Sequence, residues 1–443
     1  MKDMANIKPF KGYTYNTDKI GEIGRVLSPP YYNLPHEVKK GFYDKSEYNS
    51  VRLFSGMDYE TDNEHENRFT RAGEYLRSWI SEDILKRAEE PAIYMYEETI
   101  DVRGTRYQNR TFVCLLELAE FSEGVVTSCE EIREVSMQDR YEFLTHTNAD
   151  LSMVSCLYME REKDLLNLMN GLAEITPDSE FSAYDDIHHR IWRITDVEKI
   201  AYITERFKDT HLYITDGQTR YETCLKYRNY MRANNPEHTG KEPYNFTMVS
   251  LMNSRSDGIV IMPVHRAIKL DRGFNENFFV AGVQDHFKIE KIIVDTQDDS
   301  ITNTMKKQIA TTRSDINRFA VYAGGNYFYR LTLFDKDFIK KNLLPEMSKA
   351  YCALDIVVAN KLIIEDLFRI KEEEYWDKVK YSRSSDECMQ DIKNGERNVM
   401  IVLNPVTTDQ IKNVTSVGEL LPRCSVSVFP KPSVGVLINV KED

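Results

Sequence analysis

Asp216, Gly217 and Arg220 stand close together in the chain, and side chains of these types at this spacing have the chemistry of an anion site. They lie in His211-Leu212-Tyr213-Ile214-Thr215-Asp216-Gly217-Gln218-Thr219-Arg220-Tyr221-Glu222, where a short apolar run, an Asp-Gly turn and an amphipathic segment follow one another directly. A helix beginning at Thr219 leaves unpaired backbone N–H groups pointing at the turn, and Gly217 lets another group approach the backbone closely. Arg220 adds a cation and Asp216 an acceptor, so Gly217, Gln218, Thr219 and Arg220 would hold a phosphate while Asp216 positions a proton or a metal beside it. The same residues also read as local stability, because Thr219-x-x-Glu222 is a capping-box pattern and Asp-Gly is common turn chemistry. Spacing alone leaves both readings open.

Other candidates depend on the fold to bring distant segments together. His265 and Arg266 follow Pro263, which restricts the local geometry, so both side chains would reach a cleft; a buried hydrogen bond and an ion pair are the equally good structural account. Lys431, after Phe429-Pro430, is either a phosphate-binding point charge or the cap of a sheet edge. His188-His189 is not a metal pair, since adjacent residues on a strand face opposite ways.

The elements that must position these residues alternate between helix and strand. Residues 92–102 and 106–118 read as a hairpin around Arg103-Gly104-Thr105, and residues 68–86 carry apolar positions at helical spacing. Strand 190–194, helix 197–207, strand 212–215 and helix 220–232 then alternate as an α/β layer does, which places the Asp-Gly turn at a strand-to-helix junction. Strands are expected at 245–253, 258–262, 398–403 and 433–440, a hairpin at 319–333, and helices at 354–370 and 386–393. Residues 295–300 read as a surface turn. The fold class is mixed α+β with several lobes, which we place at residues 1–125, 126–335 (carrying the Asp-Gly turn) and 336–443.

Composition bounds the function classes. The 443 residues are too many for one ordinary core, and 41% hydrophobic with 29% charged residues describes a globular chain. Lys and Arg number 58 against 71 Asp and Glu, a net charge of −13, which disfavours broad nucleic-acid binding because that needs a positive field. No apolar run is long enough to cross a bilayer and no leader is evident, so a cytoplasmic protein is expected. The seven cysteines, among them Cys114, Cys129, Cys156 and Cys224, are widely spaced and never in a C-x-x-C pair, so reduced thiols are expected and neither a disulfide framework nor a zinc site.

Several segments together resemble the bacterial domain-of-unknown-function 1015 family: Ile7-Lys8-Pro9-Phe10, Ser28-Pro29-Pro30-Tyr31, Tyr48-Asn49-Ser50-Val51-Arg52-Leu53, His189-Arg190-Ile191-Trp192-Arg193, Met262-Pro263-Val264-His265-Arg266 and Phe429-Pro430-Lys431. The family's turn usually reads Asp-Gly-His-His-Arg-Tyr-Glu-Thr-Ala; here Gln218 and Thr219 replace both histidines. Tyr32 stands where the family has Pro-Pro-Tyr-Asp, Cys129-Glu130 replaces a His-Glu pair, Ala359 ends a motif that closes on Leu-His, and Cys424-Ser425-Val426 replaces Lys-Ser-Thr. Most groups that exchange protons near neutral pH have therefore been exchanged for ones that do not. The resemblance adds Arg52 and Arg140 to the ligand-binding candidates, and Glu130, from the His-Glu…Asp-Arg segment, to Asp216 as a catalytic carboxylate. On the residues alone, Glu130 is simply an exposed acid.

The turn is also similar to the Asp-Gly-His-His-Arg turn of ParB/sulfiredoxin-like folds, a group that includes nucleotide-using partition proteins and free-serine kinases, and members of the family are often encoded beside serine-biosynthesis enzymes. What the resemblance implies is a phosphate or nucleotide pocket, with a nucleotide and Mg2+ as the cofactor expectation, and phosphotransfer or phosphate-ester hydrolysis in amino-acid metabolism as the activity. A small phosphorylated metabolite or nucleotide would be its partner, with no membrane. The competing reading is a chain that has lost its chemistry and acts by binding, through a partner.

Overall fold

The computed structural model describes residues 5–31, 34–102, 104–131, 137–160, 162–183, 186–294, 300–311 and 316–442. Tyr32, Arg103 and the turn expected at 295–299 lie outside the described residues. The chain forms two compact units, one of Met1–Ser128, Ile132–Val260 and Val428–Asp443, the other of Cys129–Glu131 and Ile261–Ser427.

A nine-stranded mixed sheet organises the first unit. Its order is Val126–Ser128, Leu212–Asp216, Val154–Tyr158, Phe246–Asn253, Thr105–Glu117, Ile93–Val102, His188–Ile194 and Ser179–Ser182, with Ile7–Lys8 also paired to Thr105–Glu117. The expected hairpin forms as Ile93–Val102 against Thr105–Glu117, with Gly104 at φ +80° in its turn. Both faces of this sheet are covered, so every residue of Phe246–Asn253 is buried. Val249 and Leu251 face one core with Phe207, Tyr221 and Leu225 of the helices, while Phe246 and Met248 face a second core with Leu53, Trp79 and Leu437. Burying both faces removes the polar alternation by which a half-exposed strand is read.

The second unit is built on a six-stranded antiparallel sheet in the order Phe287–Ile293, Tyr327–Leu333, Arg318–Tyr322, Val399–Val402, His265–Ile268 and Val379–Ser382. Helices Ile301–Ile309 and Ser385–Lys393 pack Met305, Ile309 and Cys388 against its Ala267, Phe328 and Met400.

Three expectations change. The helix begun at Arg68, capped by Asn67, stops at Ser81; Leu85–Arg87 then pairs with Tyr13–Tyr15, because burying Leu85 needs a strand there. Of residues 433–440 only Asn439–Val440 is a strand, although Val434 and Ile438 make isolated antiparallel bridges to Ser28 and Tyr13 and Val434, Val436, Leu437 and Ile438 are buried, so the pairing there is interrupted rather than continuous. The three successive lobes do not describe the contacts: strands on both sides of residue 125 share the first sheet, Val399–Val402 sits inside the second, and the chain after residue 427 returns to the first unit. Sequence order cannot show such a return.

Candidate functional site

The Asp-Gly turn lies where expected. Leu212–Asp216 is a strand between Val126–Ser128 and Val154–Tyr158, and Gln218–Asn234 is the helix that follows. Gly217 is the helix's N-terminal cap residue at φ +84°, a backbone conformation that favours glycine, and a Cβ there would lie 2.6 Å from Arg220 Nη2 and displace that guanidinium. The helix therefore starts at Gln218, and no side chain caps it. This corrects the capping-box reading: Thr219 is inside the first turn, where its carbonyl accepts from Thr223 Oγ1 at 2.7 Å.

Asp216 is the hub. Its Oδ2 accepts from Arg220 Nη2 at 2.7 Å, and its Oδ1 is ion-paired with Lys431 Nζ. Arg220 Nη2 also donates to the Met153 carbonyl at 2.8 Å. Burial alone would push the Asp216 carboxyl up, but Lys431 and Arg220 outweigh it and hold the group well below the usual carboxylate range. Lys431 Nζ also lies 5.7 Å from the ring centre of Tyr31, so the Pro-Pro-Tyr segment, the turn and the Phe-Pro-Lys segment meet here. Gln218 accepts from Ser128 Oγ and faces Glu222.

Behind Arg220, on the same unit, is a cavity of about 50 Å3 whose walls include Phe54, Phe143, Arg140, Ser152, Arg220 and Thr223. Arg140 and Arg220, both expected at a site, thus share one chamber; Arg140 lies 5.5 Å from the Phe54 ring centre. The Oγ of Ser152, a residue only 7% exposed, and Arg220 Nε are buried and make no hydrogen bond among the described residues. Asp150 also lines the cavity, but its carboxylate is committed: Lys441 Nζ at 2.9 Å, Asn439 Nδ2 at 2.8 Å and the Met248 N–H at 3.1 Å all donate to it. Sequence reading missed Ser152 and Met153, which carry no motif of their own, and did not single out Thr223, which lies in the family's turn motif. Met153 acts through its carbonyl, which no side-chain pattern reveals.

The remaining candidates have other surroundings. Arg52 stacks on Tyr43, 3.9 Å from its ring centre, and donates to the Tyr43 carbonyl at 3.3 Å. In the second unit, Glu130 Oε2 accepts from the N–H groups of Ser425 at 2.9 Å and Val426 at 3.1 Å. Arg266 is fully buried there, donates to the carbonyls of Val264 and Cys424, and lies 5.1 Å from the Tyr381 ring centre. Its neighbour His265 accepts from the Leu403 N–H at 3.2 Å, and burial lowers its imidazole to about 3. His188 and His189 leave their strand on opposite faces, the first pairing with Glu180 at 2.7 Å and the second buried between Tyr96 and Phe181.

The donor set at Asp216 does not suit Mg2+, since both carboxylate oxygens already serve cations and two positive charges stand beside them. Every described cysteine is a free thiol. Among the described residues no helix is long and apolar enough to cross a membrane.

Among solved structures, the chain is similar to a conserved hypothetical protein from Pyrococcus furiosus, with 11% identity, 72% of this chain and 92% of that one covered, and a TM-score of 0.32. A free serine kinase in complex with AMP matches at 10% identity, over 70% of this chain and 89% of that one, with a TM-score of 0.32. SbnI with a C-terminal truncation, from Staphylococcus aureus, matches at 10% identity over 71% and 84%, with a TM-score of 0.31. At such TM-scores no role transfers from those proteins. No curated protein matches the chain significantly. The family model described as protein of unknown function (DUF1015) matches residues 7–357, and the chain belongs to that family.

Proposed function

We propose that the first unit binds a phosphorylated small molecule or nucleotide at the Asp216–Gly217 turn, and that phosphotransfer on an amino-acid substrate is the reaction class such a site serves. The observation that carries this is the junction of Lys431 and Arg220 on Asp216 at a helix N-terminus that no side chain caps. An entering phosphate competes with Asp216 for Lys431 and gains the N–H groups of the first helical turn, whose partial positive charge favours an anion. Arg220 stays anchored by the Met153 carbonyl and by Asp216, so it orients rather than travels.

In the resting arrangement Asp216 is a weak base, because two cations stabilise its ionised form. When Lys431 turns to a phosphate, one of those cations is withdrawn and the carboxylate becomes more basic. Ligand entry and proton acceptance are coupled in this reading, without the histidines at 218 and 219. The test is the melting temperature with phosphoserine, AMP and ATP added separately. A ligand at a hundred times its Kd stabilises by about 2.7 kcal/mol. The stabilisation should shrink in Lys431→Ala and Arg220→Ala. No shift with any of the three ligands would remove the proposal. Binding without turnover would leave a binding protein.

A further inference from the structure

The cavity behind Arg220 differs in character from the turn in front of it. Aromatic and aliphatic side chains, Phe54, Phe143 and Leu144 among them, form most of its wall, and Arg140 and Arg220 enter it with the Ser152 hydroxyl. Ser152 Oγ and Arg220 Nε are buried donors that the protein leaves without acceptors, which costs stability unless something in the chamber accepts from them. Two guanidinium groups and a hydroxyl in the wall of one mostly apolar chamber match a planar carboxylate carrying a short hydrocarbon tail. A phosphate needs donors on all sides, and the apolar walls supply none.

Size and charge narrow the class. At roughly 10–15 Å3 for each water-sized group, about 50 Å3 takes about four non-hydrogen atoms, so what the chamber itself encloses is a small group rather than a whole nucleotide. An α-amino acid would bring an ammonium group, and among the described residues the one carboxylate in the wall, Asp150, is already engaged by Lys441, Asn439 and the Met248 N–H. We infer that the cavity lined by Arg140, Ser152 and Arg220 is a binding site for a two- or three-carbon monocarboxylate that lacks an amino group. This goes beyond the phosphate reading of the turn and does not need it.

The test is calorimetry and thermal melting of the full chain with sodium acetate and sodium propionate, against sodium chloride of equal ionic strength, and with serine and inorganic phosphate as alternatives. Acetate or propionate should bind and raise the melting temperature, and serine should not. Ser152→Ala removes a hydroxyl with no protein partner, so the protein should fold as before while propionate affinity falls several-fold; Arg140→Gln should lower it about tenfold or more, as loss of a charged hydrogen bond does. Equal effects of propionate and chloride, or propionate affinity unchanged in both variants, would overturn the inference. So would serine binding that is lost in Ser152→Ala. Phosphoserine binding that depends on Lys431 but not on Ser152, with no propionate binding, would leave the turn's reading standing and sink this one.

Discussion

Asp216 in the first unit and Glu130 in the second are both carboxylates that accept from donors stabilising their negative charge, yet the stabilisation is supplied by different means. Asp216 is held by two side-chain cations, Arg220 and Lys431. Glu130 is held by two backbone N–H groups, those of Ser425 and Val426, on a single oxygen, with the buried Arg266 acting across space. A side-chain cation can turn to another anion at the cost of one rotamer, whereas backbone donors cannot leave without moving the chain. The first arrangement suits a ligand site and the second a structural joint, although the two acids look equivalent as candidates in the sequence.

The largest effect that sharpens this contrast is expected from Glu130→Ala, which orphans two N–H groups and withdraws a favourable charge from Arg266. A loss of about 3 kcal/mol is expected in denaturant unfolding. Glu130→Gln should recover most of it, because one amide oxygen accepts both bonds. A Gln variant as unstable as the Ala variant would mean that the charge, not the backbone capping, matters at this joint.

Asp216→Asn should cost somewhat less, about 2 kcal/mol, and keeping the shape should not rescue it, because neutral Asn leaves two partly buried cations unpaired. The pH dependence has a definite sign. A carboxyl whose folded value is depressed contributes stability above the unfolded value near 4, and loses it as pH falls below that. The stability gap between the native chain and Asp216→Asn should therefore close on acidification. A constant gap between pH 6 and pH 3 would contradict the ion-pair account.

Asp355 supplies a third case: among the described residues its carboxylate meets the amides of Asn317 at 2.7 Å and Asn404 at 3.3 Å and no cation. Burial pushes its carboxyl up to about 6. A raised carboxyl stabilises while protonated, so the stability it contributes is present below about 4 and declines, by about 3 kcal/mol, as pH rises to about 6. Comparing the melting temperature of the native chain and Asp355→Asn across that window isolates the slope, which should be absent from the variant.

The smallest effect is expected at Thr219. With Gly217 as the cap residue and no side-chain cap present, Thr219→Ala should change stability by no more than about 0.5 kcal/mol, and in the favourable direction that helix propensity gives. A clear loss of stability would restore the capping role.

Local periodicity determined a good deal of this protein. The hairpin at Ile93–Val102 and Thr105–Glu117, the helix Val197–Phe207 and the strand-turn-helix around Gly217 follow from spacings that belong to one element and its turn. That Asp216 and Arg220 face each other is likewise local, set by the tight strand-to-helix turn at Gly217. The partner of Asp216 on its other side, Lys431, lies far along the chain, and a candidate list can name it without being able to say which acid it meets. The cavity is assembled from side chains of separate segments, Phe54, Arg140, Ser152 and Arg220, and only packing brings them together. Burial is the physical reason for the division. Short-range geometry fixes which residues share a turn, but the depression of Asp216, the elevation of Asp355 and the unmet donors of Ser152 and Arg220 arise only when distant surfaces exclude water from them.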